Sequence, residues 1–297
     1  MMTLRVLILA LFASMSLNAQ DYEYRVMINS GDNLVMKAGT TEWISLKMGV
    51  EIDFGDKIKV IKAGYLVLIN SNGTHKEMKD PGEFEIVQTA INEKAITGKY
   101  LDYVVSKMSP EEQDINRKNY ASVTGATERG INDIIIYMQS TSPVFNSEII
   151  LRWTSIGEGV IYKISMKNMF DEMIGEFETG DNYLKVDLGE DTFNQFKLIS
   201  VQITADEKLK SQKYGIQKIE EGELGVYNDE HNELKASLQD DSPMSELIMA
   251  EFYEQHKLLL DASTSYEKAM AYSPNIEYFQ QAYREYLMRN GWSDKIN

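Results

Sequence analysis

The chain has 297 residues, enough for two or three domains of about 100–150 residues each. Its formal net charge at pH 7 is −16, and such an acidic chain repels phosphate backbones, so the charge disfavours nucleic-acid binding. The sequence contains no cysteine, which excludes disulfides, thiolate metal sites and a lipid anchor attached through cysteine.

The first residues have the pattern of a secretory signal peptide. A cationic start at Arg5 precedes an apolar run at 6–17, and Ala19 lies where cleavage is expected. The other interpretation is an uncleaved membrane anchor, but the run is shorter than the roughly 20 residues that a spanning helix needs. We therefore predict a signal peptide at 1–19, no membrane span after its removal, and a location in the bacterial periplasm or at the cell surface.

The segment from residue 22 to about 89 is rich in strand patterns. Residues 57–61 alternate between polar and apolar side chains, which predicts a half-buried strand, and residues 63–69 form a more fully apolar one. Asn72-Gly73 follows, a typical hairpin turn because both residues accept positive φ. The order of strands, turns and a Gly-Asp pair resembles the FecR-like module. The matching residues are Leu46, Gly49, Ile52, Gly55, Asp56, Ile58, Leu66, Leu68, Asn70 and Gly73.

A helix is predicted at 96–119, followed by a small, polar connector at 121–130. Both are assigned to the first module, which gives a FecR-like domain with a trailing helix at 20–140. The boundary is placed near residues 140–143, where Ser, Thr and Pro cluster.

The middle of the chain predicts an immunoglobulin-like β-sandwich at 141–222. Several short strands are separated by Gly, Asp and Asn clusters, and Trp153 with Tyr162 resembles the fibronectin-type or immunoglobulin-like pattern. We interpret Trp153 as a core residue between the sheets, and the alternative is a ring on which a carbohydrate stacks. The predicted strands are 149–153, 160–166, 183–188, 196–203 and 214–219.

The last part, 223–297, is predicted to be helical. Helices are expected from Ser242-Pro243 to about residue 256, at 258–272 and at 276–289. The spacing of small and aromatic residues resembles the tetratricopeptide (TPR) repeat, in which small residues let two helices approach closely. The residues that carry the resemblance are Ala250, Tyr253, Ala262, Tyr266, Ala269 and Pro274. One such hairpin cannot bury its own face, so it must pack on the sandwich, on a partner or on another copy.

Little in the sequence indicates chemistry. The three histidines, His75, His231 and His256, form no metal-ligand pair, and His231 is placed at a polar helix start. Nucleotide-binding and nucleophile motifs are lacking. We therefore predict no enzymatic activity, no cofactor and no metal site.

The fold prediction is a multidomain, mainly β protein, with a small β-module and a β-sandwich followed by an α-helical TPR-like hairpin. The predicted function is a non-catalytic binding or scaffold component of the cell envelope that docks a protein partner through its helices. Tyr253, Tyr266, Tyr283 and Tyr286 are the candidate contact residues, because Tyr gives a large contact area at small entropic cost. The alternatives are periplasmic signalling of the FecR type through a membrane partner, and binding of carbohydrate or peptidoglycan by the sandwich.

Overall fold

The computed structural model describes residues 23–70, 74–87, 99–100, 104, 134–205, 209–219, 221–238 and 242–292. The predicted signal peptide, most of the helix at 96–119 and the connector at 121–130 lie outside these residues, as does the turn glycine Gly73. The chain divides into two compact units, Met1–Glu93 and Lys94–Asn297. The second unit contains both the predicted sandwich and the predicted helical part. No helix in the described part is long and apolar enough to cross a membrane.

The first unit consists of two four-stranded antiparallel sheets, with strand orders β4-β1-β6-β7 and β3-β2-β5-β8. Apolar side chains from both sheets share one core, which includes the predicted strand residues Ile58, Leu66 and Leu68. The strands are β1 (Tyr24–Ser30), β2 (Leu34–Met36), β3 (Ile44–Ser45), β4 (Glu51–Ile52), β5 (Lys57–Val60), β6 (Tyr65–Asn70), β7 (His75–Met78) and β8 (Gly82–Glu85).

The Gly-Asp pair of the FecR-like pattern has a structural role in this unit. Gly55 has a φ of 84°, a value that favours glycine, and it lies in the turn before β5. The buried carboxylate of Asp56 accepts hydrogen bonds from the backbone N–H groups of Ala38 (2.8 Å) and Asp53 (3.0 Å) and from Lys37 Nζ (2.5 Å). Asp56 thereby ties the turn to the segment that follows β2.

The second unit begins with two sheets that pack around a common core containing Trp153 and Tyr162. One sheet pairs β10 with β13, and the other has the order β12-β11-β14-β16-β9, with β15 attached to β14. The five predicted strands are present with shifts of up to two residues at their ends. The strands are β9 (Thr141–Val144), β10 (Glu148–Arg152), β11 (Tyr162–Lys167), β12 (Met173–Thr179), β13 (Tyr183–Asp187), β14 (Leu198–Ala205), β15 (Leu209–Lys210) and β16 (Tyr214–Lys218).

Two main strands were not predicted. The segment 140–143, interpreted as a domain boundary, instead forms most of β9 (Thr141–Val144), which pairs in parallel with β16. Pro143 is tolerated there because β9 is an edge strand, and an edge strand can lack one ladder N–H. β12 was also missed, since Gly175 interrupts its apolar pattern, yet it pairs with β11 from Met173 to Thr179 with one register shift next to Gly175.

The helical part agrees closely with prediction from residue 242 onward. Ser242 caps α3 by accepting a hydrogen bond from Ser245 N–H (3.0 Å), and Pro243 occupies the first turn. His231 lies within a helix rather than at a helix start. The helices are α1 (Asp191–Asn194), α2 (Glu221–Ser237), α3 (Pro243–Gln255), α4 (Leu259–Tyr272) and α5 (Glu277–Arg289).

Candidate binding groove

Helix α4 packs against the edge strands β9 and β10, which fixes the helical part on the sheets. The hydroxyl of Thr264 accepts a hydrogen bond from the backbone N–H of Ile150 (2.9 Å) and donates one to the carbonyl of Leu260 (2.9 Å). A strand edge exposes unpaired N–H groups, and here a helix side chain supplies the acceptor. Of the three ways in which the helical hairpin could bury its face, the chain uses packing on the sheets.

Asp261 makes one of the two main polar contacts of this junction. Its carboxylate accepts hydrogen bonds from Phe145 N–H (2.9 Å), Asn146 N–H (2.8 Å) and Asn146 Nδ2 (2.8 Å). The side chain is fully buried, and this burial raises the pKa of Asp261 to about 6. The loop between β9 and β10 is thereby held against α4.

A second polar contact lies one and a half turns further along α4. The guanidinium of Arg152 donates to both carboxylate oxygens of Glu267, and the hydroxyl of Tyr283 donates to the same carboxylate (2.9 Å). The two hydrogen bonds to Arg152 form the parallel fork that arginine and carboxylates favour. The carboxylate therefore joins β10, α4 and α5.

A groove of about 380 Å³ opens beside this junction, between α2, α3, α4 and the start of β10. Its walls carry polar and charged side chains together with a few apolar ones. The lining residues are Asn146 and Glu148 from the β10 side, His231, Lys235 and Leu238 from α2 and the residue after it, Ser242, Ser245, Glu246, Met249 and Tyr253 from α3 and its cap, and Thr264, Ser265, Lys268 and Tyr272 from α4.

A chain of hydrogen bonds borders the groove. The Nε2 atom of His231 lies 3.0 Å from the hydroxyl of Tyr253, which donates to Oδ1 of Asn146 at 3.3 Å. Asn146 in turn donates to Asp261, so the chain continues into the junction. Burial lowers the pKa of the His231 imidazole and raises the pKa of the Tyr253 hydroxyl. Both groups are therefore neutral at pH 7.

Ser245 is the most informative residue of the groove. It is only 6 % exposed, and its Oγ atom has no hydrogen-bond partner among the described residues. Buried hydroxyls are normally hydrogen-bonded, and a buried hydroxyl without a hydrogen bond destabilises the fold by about 1–3 kcal/mol. The oxygen itself exposes less than 1 Å², so a ligand in the groove can bond to it only after the side chain rotates about χ1 toward the groove.

The rim carries charges of both signs. Lys235 and Lys268 are balanced by Glu148 and Glu246, and Lys268 Nζ lies 3.4 Å from a carboxylate oxygen of Glu148. A rim of this composition does not select a strongly acidic or basic ligand. Among the described residues, no three metal-ligating side chains cluster together.

The four tyrosines proposed from the sequence are all at most 4 % exposed. Only Tyr253 borders the groove. Tyr266, Tyr283 and Tyr286 form an internal cluster, with ring centroids 4.8 Å apart for Tyr266 and Tyr286 and 6.1 Å apart for Tyr283 and Tyr286. The Tyr286 hydroxyl also donates to the carbonyl of Leu259 (2.5 Å). These three rings hold α4 to α5, so a partner meets the surrounding surface and not the rings.

Trp153 is fully buried and packs edge-to-face on Tyr162 with the ring centroids 5.4 Å apart. This position agrees with the interpretation of Trp153 as a core residue, and a carbohydrate has no access to the ring. The histidines lie in different surroundings. His231 lines the groove, and His256 Nε2 lies 3.3 Å from a carboxylate oxygen of Glu230. Burial lowers the pKa of His75, which lies in the first unit.

No protein-family model matches the chain, and no curated protein matches it either. The resemblances to FecR-like, immunoglobulin-like and TPR-like families therefore stay predictions from the residues quoted above.

Proposed function

We propose that the protein is a non-catalytic, exported binding component of the bacterial cell envelope, and that the groove between α2, α3 and α4 takes a segment of a protein partner. The observation that carries this proposal is the groove itself, whose walls hold amide, hydroxyl and charged side chains. One of its wall residues is Ser245, whose buried hydroxyl has no hydrogen-bond partner in the described part of the chain. A partner that supplies one donor or acceptor there satisfies a group that the free protein leaves unsatisfied.

The helical arrangement supports a TPR-like assignment. Ala250, Ala262 and Ala269 are fully buried, and α3 packs against α4. Small residues at such positions allow close helix approach, which is the physical basis of the TPR pattern. Repeats of this class bind protein segments along the surface that their helices present.

The two β parts support the finer assignments in the same way. The two sheets that pack around one core containing Trp153 favour an immunoglobulin-like sandwich. In the first unit, Leu46, Ile52 and Asp56 of the FecR-like pattern are buried. These modules would supply spacing or a second contact in an envelope scaffold.

The size and charge of the groove favour a peptide segment over other ligands. Its volume of about 380 Å³ accommodates a few side chains. Both signs of charge at the rim, with an amide and hydroxyls on the walls, match the mixed donors and acceptors of a polypeptide. The alternative of glycan binding loses its main candidate because Trp153 is buried.

The test has two stages. A photoreactive amino acid at Lys268, on the rim, is crosslinked in intact cells and compared with the same residue at the exposed position Lys210 in β15. We expect one protein to be captured from position 268 and not from position 210. Equal capture from both positions, or capture of no protein, contradicts the proposal.

The affinity of the purified partner is then measured for Ser245→Ala and for the matched variant Ser263→Ala. Ser263 is also buried, but its hydroxyl lies 3.3 Å from that of Tyr283, away from the groove. Ser245→Ala removes a buried hydroxyl that is unsatisfied in the free protein, so we expect the free energy of unfolding to rise by about 1–3 kcal/mol while the affinity falls about tenfold. Ser263→Ala should retain the affinity. An unchanged affinity for Ser245→Ala refutes the role of the groove hydroxyl.

A further inference from the structure

The sheet edges in the second unit differ in whether a helix covers them. The edge of β10 is covered by α4, where Ile150 N–H is bonded to Thr264, and the edge of β9 contains Pro143 and also packs on α4. The opposite edge of the larger sheet is β12, seven residues long. Within the described part of the chain, β12 pairs only with β11.

The hydrogen-bonding register shows which groups this edge presents. Ile203 of β14 exchanges bonds with Ser211 (2.9 and 2.8 Å), so its backbone faces away from β11. In an antiparallel ladder, a residue whose backbone groups point away from its neighbour faces a residue whose backbone groups also point away. Ile164 pairs with Ile203, so the backbone N–H and C=O groups of Ile164 point toward Phe177 in β12. The backbone N–H and C=O groups of Glu176 and Glu178, which lie either side of Phe177, therefore point outward from the sheet.

The same two residues give this edge its charge. Both glutamate side chains are exposed and lie on one face of the strand, since residues i and i+2 share a face. Glu176 is paired with Lys163 (3.0 Å), and Glu178 has no ion-pair partner among the described residues. A second copy paired on β12 would bring like charges together, which destabilises cross-strand pairs. The edge is therefore unsuited to self-association and complementary to a basic strand.

We propose that the β12 edge is a docking site for an extended, basic segment of another protein, which adds to the sheet as an antiparallel strand. The main-chain groups of Glu176 and Glu178 supply the hydrogen bonds, and their carboxylates select lysine or arginine at alternating positions of the incoming strand. This site is separate from the groove and does not depend on its function.

The hairpin between β11 and β12 adds an apolar contact next to this edge. Met169 and Phe170 at its tip are 73 % and 75 % exposed. The tip is fixed because Oδ1 of Asn168 accepts hydrogen bonds from Phe170 N–H (2.9 Å) and Glu172 N–H (3.1 Å). An aromatic side chain on a fixed turn can contact a bound segment at low entropic cost.

The test uses the full mature chain and a capped seven-residue peptide in which lysine alternates with threonine and valine. Binding is measured by fluorescence anisotropy for the wild type, for Glu178→Pro and for Lys185→Pro. Proline at 178 removes an outward N–H and leaves the bonds to β11 in place. Lys185 in β13 is the matched control. The backbone N–H of Ile150, its paired residue in β10, points toward α4, so the N–H of Lys185 points the opposite way, outward from the edge of β13.

We expect the peptide to bind, its affinity to fall at least about tenfold in Glu178→Pro, and Lys185→Pro to bind like the wild type. Glu176→Gln with Glu178→Gln should weaken binding and remove most of its salt dependence. Equal binding of a peptide with glutamate in place of lysine, or unchanged binding by Glu178→Pro, overturns the proposal. Sedimentation that shows a dimer in the wild type and a monomer in Glu178→Pro would make a second copy the occupant, which also overturns it.

Discussion

Asp261 provides a sharp test of how the helical part is held on the sheets. Its carboxylate is fully buried and accepts three hydrogen bonds from Phe145 and Asn146. Two physical effects oppose each other here, since burial disfavours the charged form whereas hydrogen-bond donors favour it. Burial is the larger effect, and it raises the pKa of Asp261 from 3.8 to about 6.

The magnitude follows from linkage between protonation and folding. Below pH 3.8 Asp261 is protonated in both the folded and the unfolded chain. As the pH rises toward 6, the unfolded chain loses this proton first, so stability falls with rising pH across this window. A difference of about 2 pKa units corresponds to about 3 kcal/mol in the free energy of unfolding. The asparagine in Asp261→Asn cannot ionise, so this variant does not lose stability in this way as the pH rises.

The assay is urea denaturation of the wild type and Asp261→Asn between pH 4 and pH 7. Trp43→Phe and Trp292→Phe are introduced in both, so that the fluorescence of the buried Trp153 reports on the second unit. The variant loses hydrogen bonds at every pH, but its deficit relative to the wild type should shrink by about 2.4 kcal/mol between pH 4 and pH 7, since the unfolded carboxyl is already partly ionised at pH 4. A constant deficit, or one that grows with pH, would show that the three hydrogen bonds outweigh burial and would refute the reasoning.

Two further variants test the buried carboxylates elsewhere. Glu267→Ala should destabilise the second unit by about 3 kcal/mol because it removes the ion-pair partner of Arg152, and calorimetry should show a fall of about 6–12 °C in its Tm. Arg152→Met with Glu267→Met should recover most of this loss, and no recovery would contradict the account. Asp56→Ala should destabilise the first unit by about 3 kcal/mol, since two backbone N–H groups and Lys37 lose their acceptor. Its unfolding is followed through Trp43, and an equal effect on the Trp153 signal would show that the loss is not confined to the first unit.

The sequence predicted elements well where one face is apolar. Helices α3, α4 and α5 and strands such as β11 and β14 were found within two residues of their ends, because their periodicity is set by a buried face. β9 and β12 were missed because Pro143 and Gly175 interrupt that signal. Both are edge strands, where pairing on one side tolerates such residues.

The groove was beyond prediction because its walls come from separate parts of the chain. Tyr253 and Tyr266 belong to the TPR-like spacing, and Tyr283 and Tyr286 were added because Tyr gives a large contact area. Of the four, only Tyr253 borders the groove, and the other three are internal. Periodicity identifies a buried aromatic and does not show which one borders a cavity. The unpaired hydroxyl of Ser245 carries no sequence signal at all, since a serine in the first turn of a helix is ordinary.

Polar residues along one side of a helix do not always face solvent, as helix α4 shows. Asp261, Thr264 and Glu267 recur every three residues, a spacing that places them on one side of the helix, and all three are buried against the sheets. Asp261 and Thr264 are buried because the loop before β10 and the edge of β10 present backbone N–H groups that need acceptors, and an apolar helix face cannot supply them. Glu267 is buried because it accepts hydrogen bonds from the guanidinium of Arg152 and the hydroxyl of Tyr283. A stripe of short acceptors on a helix that follows a β-sandwich therefore indicates a helix that covers a strand edge. The β12 edge has no such cover in the described structure, which is why we assign the docking strand to that edge and not to β10.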